Sequence, residues 1–456
     1  MRKKEQDKLD RWLRSDDRKP LVLRGARQVG KTWLVRDLAA RHKLDLVELN
    51  LERNPRLAQH FESNDPRQIL ENLEAEFSRR FSSSRSLLFL DEIQATPELL
   101  GTLRWFMEEL PSLAVIAAGS LLDFALQKHE FSMPVGRITY AYIEPVSFLG
   151  FLQASGNTPL YEHLSNATMD NPPATSLHDK CLQFYFEYSL VGGMPAVVAK
   201  WFTTRDFSEC LKLQQDLLTT YQDDFSKYSK KADVRLLVKI IDSAARQLGN
   251  KFVASRVEAG VRAAEIKSAL SLLASARVLS FVRHTSGNGI PMGAESNDKF
   301  YKILFLDTGL VSALLHLSQL NINEVKAQLF KSKGPLAEQF VGQQLRAALS
   351  QLEDPALFYW QRTDGRQGEI DYLIQHGNKI VPIEVKSGAS GAMKSLHQFM
   401  HDKNLDLAIR CDLNPMSISN IKVKTTTGKA VCYKLFSVPL YLAERIPDIL
   451  QRAILK

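Results

Sequence analysis

The sequence is expected to fold as an α/β protein with a parallel sheet core first. Helices follow, then a helix-and-ribbon unit, then a second α/β region towards the C-terminus. Three observations lead there. Between residues 20 and 145, short continuous apolar runs alternate with amphipathic helical stretches, the pattern of a parallel sheet buried on both faces. The glycine-rich stretch GARQVGKT follows the first of those runs and opens a helix. Far along the chain, EIDYLIQHGNKIVPIEVK reads as a hairpin with carboxylates set among apolar residues.

The elements follow in order. PLVLRG, DLVELN, SLLFLDE and LAVIAAGS read as buried strands, and KTWLVRDLAARH as a helix between the first two. Thr96-Pro97-Glu98 has the form of an N-cap followed by proline in a first helical turn. GNTPLYEHLSNATMDNPPATS reads as a loop, and long amphipathic helices run through LKLQQDLLTTYQDDF. Two helices, LVKIIDSAARQLG and AAEIKSALSLLASA, then precede a ribbon, VLSFVRH and FYKILFLD around the turn SGNG; this is the order of a winged helix-turn-helix. Ile266, Leu270 and Leu273 make its core stripe, while Arg262 and Lys267 point outward towards phosphates or a protein partner. A polar passage, LNINEVKAQLFKSKG, leads into the last region of helix, hairpin, helix and strand. The expected units are 1–155, 156–229, 230–330 and 331–456.

Composition narrows the classes. A chain of 456 residues with 45% hydrophobic and 24% charged residues is expected to be soluble, globular and multidomain. No apolar run approaches the ~20 residues of a membrane helix, and the start, MRKKEQDKLDRW, is charged throughout, so a cytoplasmic protein is expected. The four cysteines are scattered without a CxxC pair, which argues against structural zinc and disulfides. The net charge of +8 is concentrated late: residues 230–300 carry 12 Lys and Arg against 6 Asp and Glu, and residues 331–456 carry 17 against 12. That balance points to DNA as a partner, with a solvated basic surface as the plain alternative.

GARQVGKT places Gly25, Gly30, Lys31 and Thr32 at the spacing of a phosphate-binding loop, with Ala26, Arg27, Gln28 and Val29 between them. Its backbone N–H groups and the helix N-terminus would cradle phosphates; Lys31 would neutralise the terminal ones and Thr32 would ligate Mg²⁺. In LLFLDEIQ, Asp91 would hold Mg²⁺ through water and Glu92 would polarise the attacking water, a pair that favours hydrolysis over transfer to a metabolite. Ser120, ending a strand after Gly119, could orient that water, and Arg137 in MPVGRITY could reach a γ-phosphate in cis or in trans.

These motifs, with EPVSFLGF and GGMPAVV, resemble a widespread family of prokaryotic AAA-type ATPases that join an ATPase core to a C-terminal region of uncertain role. The resemblance implies ATP as the nucleotide, an AAA core at 1–155 and a helical lid at 156–229. No motif locates a nucleotide-sensing lid arginine.

In the hairpin, a two-residue turn at Gly377-Asn378 pairs His376 with Lys379 and sets Asp371 opposite Glu384, with Lys386 one step on. Carboxylates so placed repel unless something positive lies between them, and a divalent metal would supply that charge. Asp371, Glu384 and Lys386 in this arrangement are similar to the signature of restriction-endonuclease-like phosphodiesterases. That resemblance adds Glu338, on the preceding helix, to the metal set, and leaves Glu369 as a further ligand or a bystander. Such a domain either cleaves DNA with Mg²⁺ or binds DNA or a protein without cutting. The leading expectation is an ATP-hydrolysing protein acting on or near DNA. The alternative is a nucleotide-controlled binding switch, and assembly into homo-oligomers stays open.

Overall fold

In a computed structural model, the described residues are 3–120, 122, 134, 136–228, 234–317, 334–349, 353–362, 368–388 and 393–454. The first sheet contains β1 (Leu21–Arg24), β2 (Asp45–Asn50), β3 (Ser86–Asp91), β4 (Ala114–Gly119) and β5 (Thr139–Tyr142), in the order β2-β3-β4-β1-β5. All its pairings are parallel. Leu21 and Leu23 face one apolar cluster and Val22 another, so both faces are covered, as continuous apolar strands require. The four expected strands are present, and the Lys31–His42 helix coincides with KTWLVRDLAARH. β5 was not expected: four residues reading TYAY are too short for a periodic signal.

Two local expectations are corrected. The helix after β3 begins at Leu99, beyond a 3₁₀ turn at Ile93–Ala95; Thr96 accepts through its carbonyl and its buried hydroxyl caps nothing. The supposed loop at 156–176 contains a helix, Thr158–Ser165, whose first turn is capped by the Asn157 side chain and carries Pro159.

The second sheet contains β6 (Leu279–Thr285), β7 (Ser296–Phe305), β8 (Leu357–Gln361), β9 (Glu369–His376), β10 (Lys379–Val385), β11 (Leu407–Asp412), β12 (Ser417–Lys424) and β13 (Ala430–Pro439). Its order is β12-β13-β11-β10-β9-β8-β6-β7. The ribbon expected to form a wing, β6 and β7, is thus one edge of the C-terminal sheet, joined through the parallel pairing of Val282, Arg283 and His284 with Leu357, Phe358 and Tyr359. No sheet boundary falls at 330. A two-stranded ribbon is marginal alone, and pairing β6 with β8 gives it a third partner. The SGNG turn also docks: Gly287 is buried against Leu373 and Phe399, and Asn288 accepts from Lys403. Ile266, Leu270 and Leu273 are buried and Arg262 and Lys267 exposed, as the helical period predicts. The polar passage at 320–334 lies outside the described residues except Gly334.

One apolar cluster runs through the parallel sheet, the 178–228 helices, the ribbon and the C-terminal sheet. Phe148, Tyr188 and Phe340 stack edge to face at its centre, with ring centroids 5.6–6.1 Å apart. Among the described residues no helix is long and apolar enough to cross a membrane.

Candidate functional site

The glycine-rich loop leaves β1 at Arg24 and enters the Lys31–His42 helix. Two of its glycines are required. A side chain at Gly25 would lie 2.5 Å from the Ile143 carbonyl, and Gly30 takes φ +93°, which favours glycine. Ala26 and Val29 are buried beneath the loop, and Gln28 also has positive φ. Lys31 is buried and donates to the carbonyls of Gly25 (3.0 Å) and Ala26 (2.9 Å). Burial pulls its pKa down to about 8, with Glu92 and Asp91 opposing the shift.

Register carries Asp91 to this loop. β3 ends one strand away from β1, across β4, and Thr32 Oγ1 donates to Asp91 Oδ2 at 3.1 Å. Burial, then the neighbouring Glu92, push Asp91 up to about 6. Glu92 has φ +55° and its carboxylate accepts from Gln94 Nε2 at 2.5 Å. Gln94 packs against Gly119, where an added Cβ would meet its Oε1 at 2.6 Å. Next to Gly119 at the end of β4, Ser120 is buried and its hydroxyl has no hydrogen-bond partner among the described residues. Thr32 and Asp91 would suit a divalent ion: their oxygens already meet at 3.1 Å, in a place where burial and Glu92 disfavour an uncompensated carboxylate.

Two arginines differ from expectation. Arg27 pairs with Asp224 at 2.8 Å, and Tyr221 donates to the Arg27 carbonyl at 2.9 Å, tying the loop to the Phe207–Tyr228 helix. Arg137 precedes β5, whose Thr139 is level with Leu21, so it lies at the end of the strands opposite the loop. By strand rise this places it on the order of 20 Å along the sheet from Gly25. There it pairs with Glu108 at 3.1 Å.

Beside the loop, a cavity of about 520 Å³ is lined by Ala26, Arg24, Tyr142, Arg277, Arg283 and Arg346, among others. Arg277 follows the Ala263–Ser275 helix; it pairs with Asp354 at 3.0 Å and lies over the Tyr142 ring at 4.6 Å. Arg346 bridges Asp354 (3.1 Å) and Glu144 (2.8 Å), the latter just after β5.

In the C-terminal sheet the hairpin has the expected register, from Lys379 opposite His376 to Ile383 opposite Tyr372. Gly377 alone takes positive φ, as a type II′ turn requires. Beyond Tyr372 the ladder stops at a bulge opposite β8, and Asp371 Oδ2 accepts from Val385 N at 2.7 Å. Glu384, 6% exposed, accepts from Lys386 at 2.6 Å while its second oxygen has no hydrogen-bond partner among the described residues. Burial, then Asp371, raise its pKa to about 7 against the pull of Lys386.

The carboxylates whose oxygens gather within 4.8 Å are Glu338, Glu369 and Asp371, without Glu384. Among them sits Lys302 of β7, 1% exposed, donating to Glu338 at 2.6 Å, ion-paired with Glu369 and 3.9 Å from Asp371. Burial would lower the pKa of this lysine, but Glu338, Asp371 and Glu369 more than reverse that and hold the ammonium charged. A divalent ion placed ~4 Å from this ammonium would meet a repulsion of roughly 8 kcal/mol at an effective dielectric of about 20, set against the attraction of the three carboxylates that Lys302 already partners. Lys302 was missed in the sequence although its signal matches that of Glu384, a charged residue at an inward position of an apolar strand.

Three family models match parts of the chain. Residues 17–152 match a family model described as an AAA domain. Residues 182–321 and 333–425 match two domains of unknown function, DUF8612 and DUF4143. No curated protein matches. Among solved structures, the Aeropyrum pernix ORC2 protein (ADPNP-ADP complexes) is 13% identical with TM-score 0.33, covering 72% of this chain and 95% of that one. The Aeropyrum pernix ORC1 protein in complex with DNA is 12% identical with TM-score 0.28, covering 72% and 93%. PCH-2 of C. elegans is 11% identical with TM-score 0.27, covering 43% of this chain and only 59% of its own length. Likenesses at these TM-scores carry no argument. The family match at 17–152, with Lys31, Thr32 and Asp91 brought together, supports a P-loop domain of the AAA type in the first third of the chain.

Proposed function

We propose that the protein binds and hydrolyses ATP at the loop of residues 25–32 and acts on or near DNA through its basic C-terminal half. One observation carries the ATP reading: Thr32 meets the Asp91 carboxylate at 3.1 Å beside a buried Lys31, with Glu92 next in the chain. Lys31 exchanges the Gly25 and Ala26 carbonyls for phosphate oxygens, and Thr32 and Asp91 would hold Mg²⁺. When bound, Mg²⁺ would supply positive charge to the phosphate oxygens. Glu92 leaves Gln94 to take a proton from the attacking water, which Ser120 orients. Arg137 acts on the nucleotide of a neighbouring subunit. The proposed reaction is ATP hydrolysis alone. The test is ATP turnover with and without single- and double-stranded DNA; absence of nucleotide binding by folded protein removes the proposal.

A nucleotide-controlled switch is the second reading, favoured by Arg277. It reaches the cavity beside the loop and, through Asp354 and Arg346, is joined to the helix that carries Glu338. In that reading the basic region and the C-terminal centre grip DNA or a protein as the nucleotide state changes. Tight ATP binding with negligible turnover, together with DNA affinity that differs between ATP and ADP and is lost in Arg277→Ala, supports it. Sustained DNA-stimulated turnover favours hydrolysis as the working output.

A further inference from the structure

We infer that Lys302 is the resident cation of the C-terminal acid centre, holding the position a divalent ion would take, so that the centre neither binds metal nor cleaves DNA. The expected arrangement required something positive between Asp371 and Glu384; in the structure Lys302 stands beside Asp371 and Lys386 beside Glu384. The positive charge is supplied from within the chain. Lys302 reaches the cluster because β7 lies at the edge of the same sheet as β9, two strands away through β6 and β8. The residue is 1% exposed, and its ammonium lies between Glu338 and Glu369, over the Tyr359 ring at 5.2 Å, with Asp371 Oδ1 at 3.9 Å. Lys386 is likewise committed, to Glu384 at 2.6 Å. Neither ammonium is free to stabilise a developing phosphorane, and Asp371 is further engaged by the Val385 amide. A surface lysine could swing aside for a metal; an enclosed one would have to leave its carboxylates for an apolar surround. The centre therefore pins the ribbon β6–β7 to the Gly334–Leu349 helix and to β9.

The experiment titrates Mn²⁺ into the full chain without nucleotide, by calorimetry, for wild type, Asp371→Asn, Lys302→Met and the Lys302→Met/Asp371→Asn double variant. Comparison with Asp371→Asn removes any background from Thr32 and Asp91. Wild type is expected to show no Mn²⁺ site that depends on Asp371 and to leave plasmid DNA intact in Mg²⁺ or Mn²⁺. Lys302→Met is expected to gain one ion per chain, lost again in the double variant. An Asp371-dependent ion or Asp371-dependent cleavage in wild type overturns the inference, as does a folded Lys302→Met that gains no ion. Should Lys302→Met not fold, wild type against Asp371→Asn decides alone. ATP binding is measured separately, so its failure would leave this result standing.

Discussion

Asp91 is where proton and metal compete. Its pKa of about 6 in the nucleotide-free protein is raised by burial and by Glu92, against ~3.9 for an unfolded aspartate. The native state therefore holds the extra proton between those values, and this group's contribution to stability is lost as pH rises through about 6. Metal binding runs the other way, because it needs the carboxylate. Mg²⁺-ATP affinity is expected to weaken below pH 6, by up to about tenfold per pH unit, and to lose that dependence in Asp91→Asn. Calorimetric titrations at pH 5, 6 and 7.5 measure it. Glu92→Gln should keep ATP affinity but slow turnover by roughly 10²–10⁴-fold, trapping ATP on the protein; single-turnover assays distinguish this from Lys31→Ala, which should fail to bind.

Strands and turns behave largely as their local chemistry dictates. The Gly377-Asn378 turn and period-two alternation suffice to set the β9–β10 register. Helix boundaries were less legible: the cap assigned to Thr96 fails because a 3₁₀ turn uses those residues first. Another element depends on glycine. Gly192 ends the His178–Val191 helix with φ +73°, and an added Cβ would fall 2.0 Å from Asp307 Oδ1. Asp307 caps the Thr308–Leu314 helix and also accepts from Gly193 N at 2.6 Å, joining two helices through one carboxylate. Gly192→Ala is expected to destabilise the protein by about 2–4 kcal/mol, read as a lower urea midpoint with unchanged slope.

The molecule is held together across the expected units by buried charge as well as by one apolar cluster. Arg346 donates to Glu144, Asp354 and the Pro355 carbonyl, so the Gly334–Leu349 helix is fastened to the segment just after β5. Its side chain is 12% exposed and Glu144's 9%. Removing one partner of such a pair leaves the other charge buried, so Arg346→Met should cost about 3–5 kcal/mol. Because the core is continuous, denaturant titrations should show the N- and C-terminal signals falling together, whereas independent units would melt apart.

Local patterns in the chain were enough for the parallel core, the phosphate loop, the acids that end β3 and the β9–β10 register from Lys379 to Ile383, since turns and side-chain alternation are properties of neighbours in sequence. Strand order lay beyond them. Pairing of β6 with β8 brings Lys302 among three carboxylates distant in the chain, and parallel β5 sends Arg137 to the far end of the strands. Which charge meets which is set by the packing of remote segments, and that chemistry has no local signature.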